Sequence, residues 1–145
     1  MMKTGHVGLN VPDVDRALPF YTGVFGWEVL RESAEPRYAF LGDADGIVLT
    51  LWEQSDGTFA ADRPGLHHLA FQVAAIDEVE AAEERVRELG GDVQHGGIVP
   101  HAEGAHSGGI FFTDPDGIRL EIYAGDGAHD HGEAPAGAAP TCGFF

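Results

Sequence analysis

Apolar and polar side chains alternate along several short stretches of this chain, a pattern that is typical of strands with one buried face. The alternation predicts eight strands in two groups of four. They span residues 5–11, 27–32, 37–41, 47–53, 67–73, 92–95, 109–113 and 118–123.

Between the first two strands of each group, apolar side chains recur with the spacing of a helix, which predicts one helix per group. The first helix is expected to begin at Asp13 and to run towards Val24. The second is the clearer of the two, and Gly90-Gly91 ends it. Its apolar face carries Ile76, Val79, Ala82, Val86 and Leu89.

The two groups of elements are related in sequence. Residues 6–11 (HVGLNV) match residues 68–73 (HLAFQV) in type, and residues 43–52 match residues 114–123 (DPDGIRLEIY). The spacing between the matched segments is longer in the second half, and the Gly/His-rich stretch 95–109 accommodates the difference. The chain is therefore interpreted as a tandem duplication.

The fold class predicted from this repeat is α+β, with two tandem βαβββ modules at residues 5–60 and 65–124. Together they make a single domain, 1–124. Residues 125–145 are rich in Gly, Ala and Pro and cannot build a core of their own, so they are expected to form a flexible surface tail. An alternative is that the terminal Cys-Gly-Phe-Phe docks on a neighbouring chain.

Alternation also predicts which side chains share a face of each first strand. In both halves a histidine is followed two residues on by a very small side chain and then by an amide, which describes a pocket wall with room for a ligand. These side chains are His6, Gly8 and Asn10 in the first half and His68, Ala70 and Gln72 in the second.

The last strand of each half follows the same logic. Thr50 and Trp52 face the pocket in the first half, and Arg119, Glu121 and Tyr123 do so in the second. The pseudo-symmetry of the repeat predicts that four side chains converge. They are His6, Thr50, His68 and Glu121.

Two imidazoles and one carboxylate make a facial set that holds a divalent metal ion and leaves positions open for a substrate or dioxygen. His6, His68 and Glu121 are therefore the predicted metal ligands. The alternative is that they are hydrogen-bonded wall residues and an ordinary acid at the end of a strand.

Composition narrows the class of partner. Eight Lys+Arg against 24 Asp+Glu give a formal net charge of −16, which repels phosphate backbones and anionic lipids. Nucleic acid and membrane partners are not expected. A single cysteine, Cys142, fits a reducing compartment. With neither an apolar leader nor a membrane span in the sequence, the protein is expected to be cytoplasmic.

From residue 5 to about 124, the chain resembles the vicinal oxygen chelate superfamily, which includes glyoxalase I, type I extradiol dioxygenases, and fosfomycin- and bleomycin-resistance proteins. The resemblance rests on His6 in HVGLNV, His68 in HHLAFQV, the turn 114–117 and Glu121 in LEIY. It implies paired βαβββ modules, a barrel-like metal cleft and usually a homodimer. It also implies a divalent metal ion, with Fe(II) or Mn(II) favoured and Ni(II), Zn(II) or Co(II) as alternatives.

Two positions depart from the better-known members. Glyoxalase I has a fourth, carboxylate ligand where Thr50 stands, and extradiol dioxygenases have a tyrosine where Phe111 stands. The resemblance thus leaves the reaction open between lyase or isomerase chemistry and ring cleavage.

Chemistry at an open metal site usually needs a group that titrates near neutral pH, and histidine supplies one. His101 and His106 are the candidates, because they lie in a glycine-containing stretch, 99–109, that is either a catalytic lid or merely a flexible loop. His67 has the parity of the core face and is expected to be buried or at an interface. The predicted substrate-binding side chains are Asn10, Thr50, Trp52, Gln72, Phe111, Arg119 and Tyr123.

The leading hypothesis is a metal-dependent enzyme that chelates neighbouring oxygens of a small organic substrate. The rival is a metal-free protein that binds and sequesters a planar or cationic drug between Trp52, Phe111 and Tyr123. The sequence also leaves open whether one chain completes the metal site or two chains share it.

Overall fold

The two predicted repeats fold as two units with matching element order. A computed structural model describes residues 1–137 and 139–145 of the chain, and the units span Met1–Phe59 and Ala60–Phe145. Each begins with a strand, continues with a helix and returns through antiparallel strands. This order confirms the α+β class and the duplication.

In the first unit the sheet has the order β1-β4-β3-β2, and β1 runs parallel to β4. The parallel pairing requires a crossover between the first strand and the rest, and the helix is part of it. The elements are β1 (Val7–Asn10), α1 (Val14–Phe25), β2 (Glu28–Ala34), β3 (Arg37–Asp43) and β4 (Gly46–Trp52).

Helix α1 begins where the sequence predicts, because two carboxylates satisfy its first amides. Asp13 accepts a hydrogen bond from the Arg16 amide at 2.9 Å, and Glu53 accepts one from the Val14 amide at 2.9 Å. Gly26 ends the helix with a φ of 71°, a left-handed conformation that favours glycine. The buried face of the helix comprises Val14, Ala17, Phe20, Tyr21 and Val24.

The second unit repeats this plan with one additional short strand. Its sheet has the order β5-β9-β8-β6, with β5 parallel to β9, and β7 pairs with β8. The elements are β5 (Leu69–Val73), α2 (Ile76–Glu88), β6 (Asp92–Val93), β7 (Val99–Pro100), β8 (Gly108–Thr113) and β9 (Arg119–Ala124).

The parallel strand pairs have equivalent registers in the two units. Gly8 on β1 pairs with Thr50 on β4, and Ala70 on β5 pairs with Glu121 on β9. A very small side chain thus lies beside the residue at the candidate site in both halves. This is the equivalence that the sequence repeat predicts for Thr50 and Glu121.

The strand that carries Glu121 is held in place by a tight turn and a close strand contact. Asp114 Oδ1 accepts hydrogen bonds from the amides of Asp116 and Ile118 at 2.8 and 2.9 Å, which shapes the turn before β9. On the neighbouring strand, a Cβ added to Gly109 would lie 2.0 Å from the carbonyl oxygen of Ile122. Glycine is therefore required where β8 approaches β9.

The predicted strand 92–95 is shorter than expected. It contains only Asp92–Val93, because His95 adopts a φ of 56° inside a short 3-10 turn. The stretch 99–109 is also more regular than a free loop, since β7 pairs with the start of β8. Among residues 1–137 and 139–145, no helix has both the length and the apolar character needed to cross a membrane.

The segment after β9 contacts the loop and strands that precede it in the second unit. The Ala128 amide donates to the carbonyl of His106 at 2.9 Å, and Ala128 is fully buried. Thr141 is also buried: its amide donates to the carbonyl of His101 at 2.9 Å, and its hydroxyl donates to the carbonyl of Pro100 at 2.6 Å. Parts of the predicted tail therefore pack on the hairpin formed by β7 and β8.

Candidate metal centre

Glu121 lies in the middle of β9, and its side chain is buried between two imidazoles. His68 Nε2 is 3.3 Å from one carboxylate oxygen of Glu121, and His101 Nε2 is 2.6 Å from the other. Glu121 is only 3% exposed. A buried carboxylate is costly unless cationic or hydrogen-bonding groups face it, so these two histidines are central to the site.

His68 directly precedes β5, and each of its two ring nitrogens has a neighbouring side chain. His67 Nδ1 lies 2.8 Å from His68 Nδ1, while Nε2 of His68 faces Glu121. Burial lowers the pKa of the His68 imidazole below its ordinary value, because partial removal from water disfavours the charged form, although the Glu121 carboxylate acts in the opposite direction. The neutral imidazole is the form that ligates metals.

His67 itself is exposed, so the expectation that it is buried is wrong for this chain. The strand starts at Leu69, and the alternation of faces therefore does not extend back to residue 67. Its role at the site is to contact the ring of His68. The adjacent histidines His67 and His68 are a signal in the sequence that could have indicated this contact.

The loop between β7 and β8 brings His101 to Glu121. The His101 amide donates to the Ser107 carbonyl at 2.9 Å, and His101 Nδ1 lies 3.0 Å from Ser107 Oγ. These two contacts close the loop at its base and direct the other ring nitrogen towards Glu121. The structure thus brings together His68, Glu121 and His101.

The donor set in the second unit fits a divalent metal ion. Imidazole nitrogen and carboxylate oxygen are ligands for Fe, Mn, Ni, Zn and Co, and His68 and Glu121 present one of each at 3.3 Å. His6 occupies the equivalent position in the first unit, directly before β1, and is exposed.

The sheet of the first unit carries an aromatic cluster on the face of Thr50. Trp52 Nε1 donates to Thr50 Oγ1 at 3.0 Å, and the ring centroids of Tyr38 and Phe40 lie 5.0 and 5.7 Å from that of Trp52. The Arg31 guanidinium carbon lies 5.8 and 5.9 Å from the centroids of the Tyr38 and Phe40 rings. Sequence reasoning identified Thr50 and Trp52 but missed the other three. The alternation of Tyr38 and Phe40 with buried Ala39 and Leu41 was the available signal.

The two predicted amide side chains each make a hydrogen bond within their own unit, but with different partners. Asn10 donates to the carbonyl of Gln54 at 3.2 Å and accepts from its amide at 2.9 Å. Gln72 Oε1 accepts from the hydroxyl of Tyr123 at 3.4 Å. Asn10 therefore fastens the segment after β4, and Gln72 orients a side chain next to the site.

Phe111 and Arg119 both meet Phe145. Phe111 is fully buried on β8 opposite Glu121, and its ring centroid is 5.7 Å from that of Phe145. The Arg119 guanidinium carbon lies 5.4 Å from the Phe145 ring centroid. The Phe145 ring also lies 5.5 Å from the ring of His68. Composition of the tail gave no signal for this contact beyond the two bulky residues at its end.

His106, the second histidine predicted for proton transfer, has a different environment. It is exposed, and its Nδ1 lies 3.1 Å from Asp126 Oδ1. Its ring centroid is 4.2 Å from that of His129. His106 thus belongs to a surface group that is separate in its contacts from Glu121.

Residues 3–122 match the sequence profile of the Glyoxalase/Bleomycin resistance protein/Dioxygenase superfamily. The chain belongs to this superfamily. The matched range extends over most of both units.

Relatives within the superfamily include a lyase and a dioxygenase. The chain is 33% identical over 133 residues to the lactoylglutathione lyase of Salmonella typhimurium, covering 83% of this chain and 91% of that protein. It is 28% identical over 122 residues to the catechol-2,3-dioxygenase of Bacillus subtilis, covering 83% of this chain but 40% of that protein. The chain thus spans less than half the length of this dioxygenase.

Solved structures of the superfamily share the fold. A glyoxylase/bleomycin resistance protein/dioxygenase domain from Frankia sp. EAN1pec has a TM-score of 0.71 and 27% identity, covering 86% of this chain and 98% of that one. The fosfomycin resistance protein FosX of Listeria monocytogenes, complexed with Mn(II) and sulfate, has a TM-score of 0.66 and 25% identity, covering 86% and 91% of the two chains.

Proposed function

We propose that this chain is a divalent-metal-dependent enzyme of the superfamily that acts on a small oxygenated organic molecule, with His6, His68 and Glu121 as the metal ligands. The observation that carries the proposal is the buried carboxylate of Glu121, which has the Nε2 of His68 at 3.3 Å. A second support is the equivalent register of the two halves, which gives His6 the position that His68 has in the second unit.

His67 supports the role of His68 as a ligand. When Nε2 of His68 is the ligand atom, its Nδ1 carries the proton and donates it to His67 Nδ1, which lies 2.8 Å away. Such a partner fixes the tautomer and the ring orientation of a metal-bound histidine. His6 comes from the same chain or from a second copy in a homodimer.

The bound ion supplies a Lewis acid that polarises substrate oxygens, or a centre that binds both a substrate and dioxygen. The favoured ions are Fe(II) and Mn(II), with Ni(II), Zn(II) and Co(II) as alternatives. The residues around the ion determine which protons move and which substrates fit.

His101 is the proposed group for proton transfer. Its Nε2 lies 2.6 Å from Glu121 Oε1, and its Nδ1 lies 3.0 Å from the Ser107 hydroxyl. When Nε2 carries the ring proton and donates it to the Glu121 carboxylate, Nδ1 is the basic nitrogen. A proton taken up at Nδ1 is then shared with the Ser107 hydroxyl oxygen, and the carboxylate stabilises the imidazolium. Of the two histidines predicted for this role, His101 is supported by its contact with Glu121.

Aromatic side chains lie near His101 in the second unit and near Thr50 in the first unit. They favour a substrate with a flat apolar part. Phe111 and Tyr123 flank His101 in the second unit, with ring centroids 6.3 and 5.1 Å from the His101 ring. Trp52 and its neighbours provide a comparable surface in the first unit. Apolar walls with a few polar groups are typical of small-molecule sites.

Metal content is the first test. Untagged protein purified without chelator is analysed for elements, next to His68→Ala and Glu121→Gln, with His131→Ala as the matched control in the tail. The proposal expects both site variants to lose one transition-metal ion per chain that the control retains. Equal metal content in all four proteins, or none after anaerobic loading with Fe(II) or Mn(II), would overturn it and favour the metal-free binding protein.

The roles of His6 and His101 are separated by comparing metal content with turnover. Catechols, hydroxyquinones and α-keto compounds are screened with and without dioxygen to find a reaction. His6→Ala is expected to lose the ion, whereas His101→Ala is expected to keep the ion and lose turnover. Loss of metal from His101→Ala with retention in His6→Ala would reverse the assignment.

Whether two chains share a site is tested by mixing. His6→Ala and Glu121→Ala proteins are combined after separate purification. If each site takes His6 from one chain and Glu121 from the other, a mixed dimer has one site with all three ligands and one site without His6 and Glu121. The complete site is then expected to bind metal. If each chain completes its own site, the mixture binds no more metal than its components.

A further inference from the structure

A second group of potential metal ligands lies on the surface of the second unit, at the loop between β7 and β8 and the segment after β9. One nitrogen from each of His106 and His129 and one carboxylate oxygen of Asp126 all lie within 4.8 Å of one another. Asp126 Oδ1 is 3.1 Å from His106 Nδ1 and 3.9 Å from His129 Nδ1. The three atoms thus lie close enough together for one ion to contact all of them.

The backbone holds the two segments together independently of these side chains. The Ala128 amide donates to the His106 carbonyl at 2.9 Å, and Ala128 is fully buried. The Gly127 amide donates to Asp126 Oδ1 at 2.8 Å, which fixes the carboxylate at the start of a short 3-10 turn, Ala128–Asp130. The two segments and the Asp126 carboxylate are therefore held together by contacts that do not require an ion.

A further carboxylate lies behind one of the imidazoles. His129 Nε2 is 3.4 Å from Asp130 Oδ1, while its Nδ1 faces Asp126. Metal-bound histidines usually donate their other ring N–H to a carboxylate or carbonyl, which fixes the tautomer and strengthens the ligand. Asp130 places a carboxylate within ion-pair distance of that nitrogen. This contact involves the His129 nitrogen that lies away from Asp126, so it leaves Nδ1 available to an ion.

Charge and exposure favour a cation that retains bound water. All three side chains are exposed, and the formal net charge of −16 attracts divalent ions. Two imidazoles select a borderline transition metal over Mg²⁺ or Ca²⁺, which prefer oxygen ligands alone.

We propose that His106, Asp126 and His129 form a second metal site for a transition-metal ion of the Zn(II) type, with water completing the coordination. Asp130 orients His129 through its Nε2. The site uses none of the residues proposed as ligands above, and it does not depend on the proposed function. An ion bound there links the loop that carries His101 to the segment after β9.

Calorimetric titration with Zn(II) alone tests the site. The His68→Ala protein is the starting chain, so that the proposed active-site ion does not contribute, and circular dichroism confirms that each variant is folded. His68→Ala is expected to bind one Zn(II) per chain. Adding His106→Ala or His129→Ala is expected to weaken that binding at least tenfold, and adding Asp130→Asn is expected to weaken it by about tenfold.

His131→Ala in the same starting chain is the matched control. His131 is an exposed histidine of the same segment that faces Glu80 at 3.5 Å, and its removal is expected to leave Zn(II) binding unchanged. Equal affinity for the His106→Ala, His129→Ala and His131→Ala proteins would overturn the proposal. So would a folded His68→Ala protein that binds no Zn(II). The proposed function is tested separately by comparing wild type with His68→Ala. If both bind the same number of Zn(II) ions per chain, His68 is not a metal ligand and the proposed function fails.

Discussion

The ring of Phe145 lies against the ring of His68, with centroids 5.5 Å apart and an angle of 34° between the planes. Thr141 fastens the preceding turn to the carbonyls of Pro100 and His101. A residue far along the chain thus covers the imidazole that is proposed to bind the metal.

Replacing Phe145 by alanine is expected to expose His68. The Phe145→Ala protein should react several-fold faster with diethyl pyrocarbonate at His68, measured by mass spectrometry of the peptide that contains it. Phe144→Ala is the control, because Phe144 lies close to Gly137. Equal modification rates in wild type, Phe145→Ala and Phe144→Ala would contradict a covering role for Phe145.

Thr141 provides a direct measure of how firmly this segment is attached. Its hydroxyl donates to the Pro100 carbonyl at 2.6 Å, and the residue is 2% exposed. Thr141→Val keeps the shape but leaves that carbonyl without this donor, so the free energy of unfolding should fall by about 1–3 kcal/mol in urea denaturation. Thr141→Ser retains the hydroxyl and should lose less. An unchanged midpoint for Thr141→Val would show that the contact contributes nothing to stability.

A substitution at Gly109 tests how closely β8 approaches β9, the strand that carries Glu121. A Cβ there would lie 2.0 Å from the Ile122 carbonyl oxygen and 2.6 Å from the Tyr123 Cα, so backbone would have to move. Gly109→Ala is expected to cost at least about 2 kcal/mol of stability, measured by thermal unfolding. Gly5→Ala, where nothing lies within 4 Å of the added Cβ, should be neutral. A Gly109→Ala protein as stable as Gly5→Ala would disprove this packing argument.

Thr50 occupies in the first unit the register position that Glu121 occupies in the second. Because Thr50 is 2% exposed, Thr50→Glu buries a carboxylate and should lower the melting temperature of the metal-free protein. Added Mn(II) should recover more of that loss than it does for Thr50→Gln, since binding to the folded state raises its stability. If Mn(II) raises the melting temperature of both variants equally, the side chain at position 50 does not contact a bound ion.

The repeat made much of this fold predictable. The HVGLNV and HLAFQV segments and the matched later strands are local patterns, and they identified the strand positions that carry Thr50 and Glu121. Period-2 alternation predicts which face a side chain occupies. It is visible on β3, where Ala39 and Leu41 are buried between the more exposed Tyr38 and Phe40, but not on β8, which is buried on both faces. It failed at His67, which lies before the strand begins.

Contacts between distant segments were not predictable from the sequence. Strand β7 contains only Val99–Pro100 and depends on pairing with β8, which no local pattern specifies. The position of Phe145 over His68 depends on Thr141 and two backbone carbonyls. Tail composition predicts the lack of an independent core, and says nothing about which surface the tail contacts.

The loop between β7 and β8 carries His101 at one end and His106 at the other, only five residues along the chain. His101 contacts Glu121, and His106 contacts Asp126. A displacement of this loop would therefore move both imidazoles relative to their carboxylate partners. Thermodynamic linkage then requires reciprocity: if an ion at the surface group alters the affinity of the buried centre, occupation of the buried centre alters affinity at the surface by the same factor. In such a protein, the concentration of the metal that binds at the surface group would change the affinity of the buried centre for its own metal.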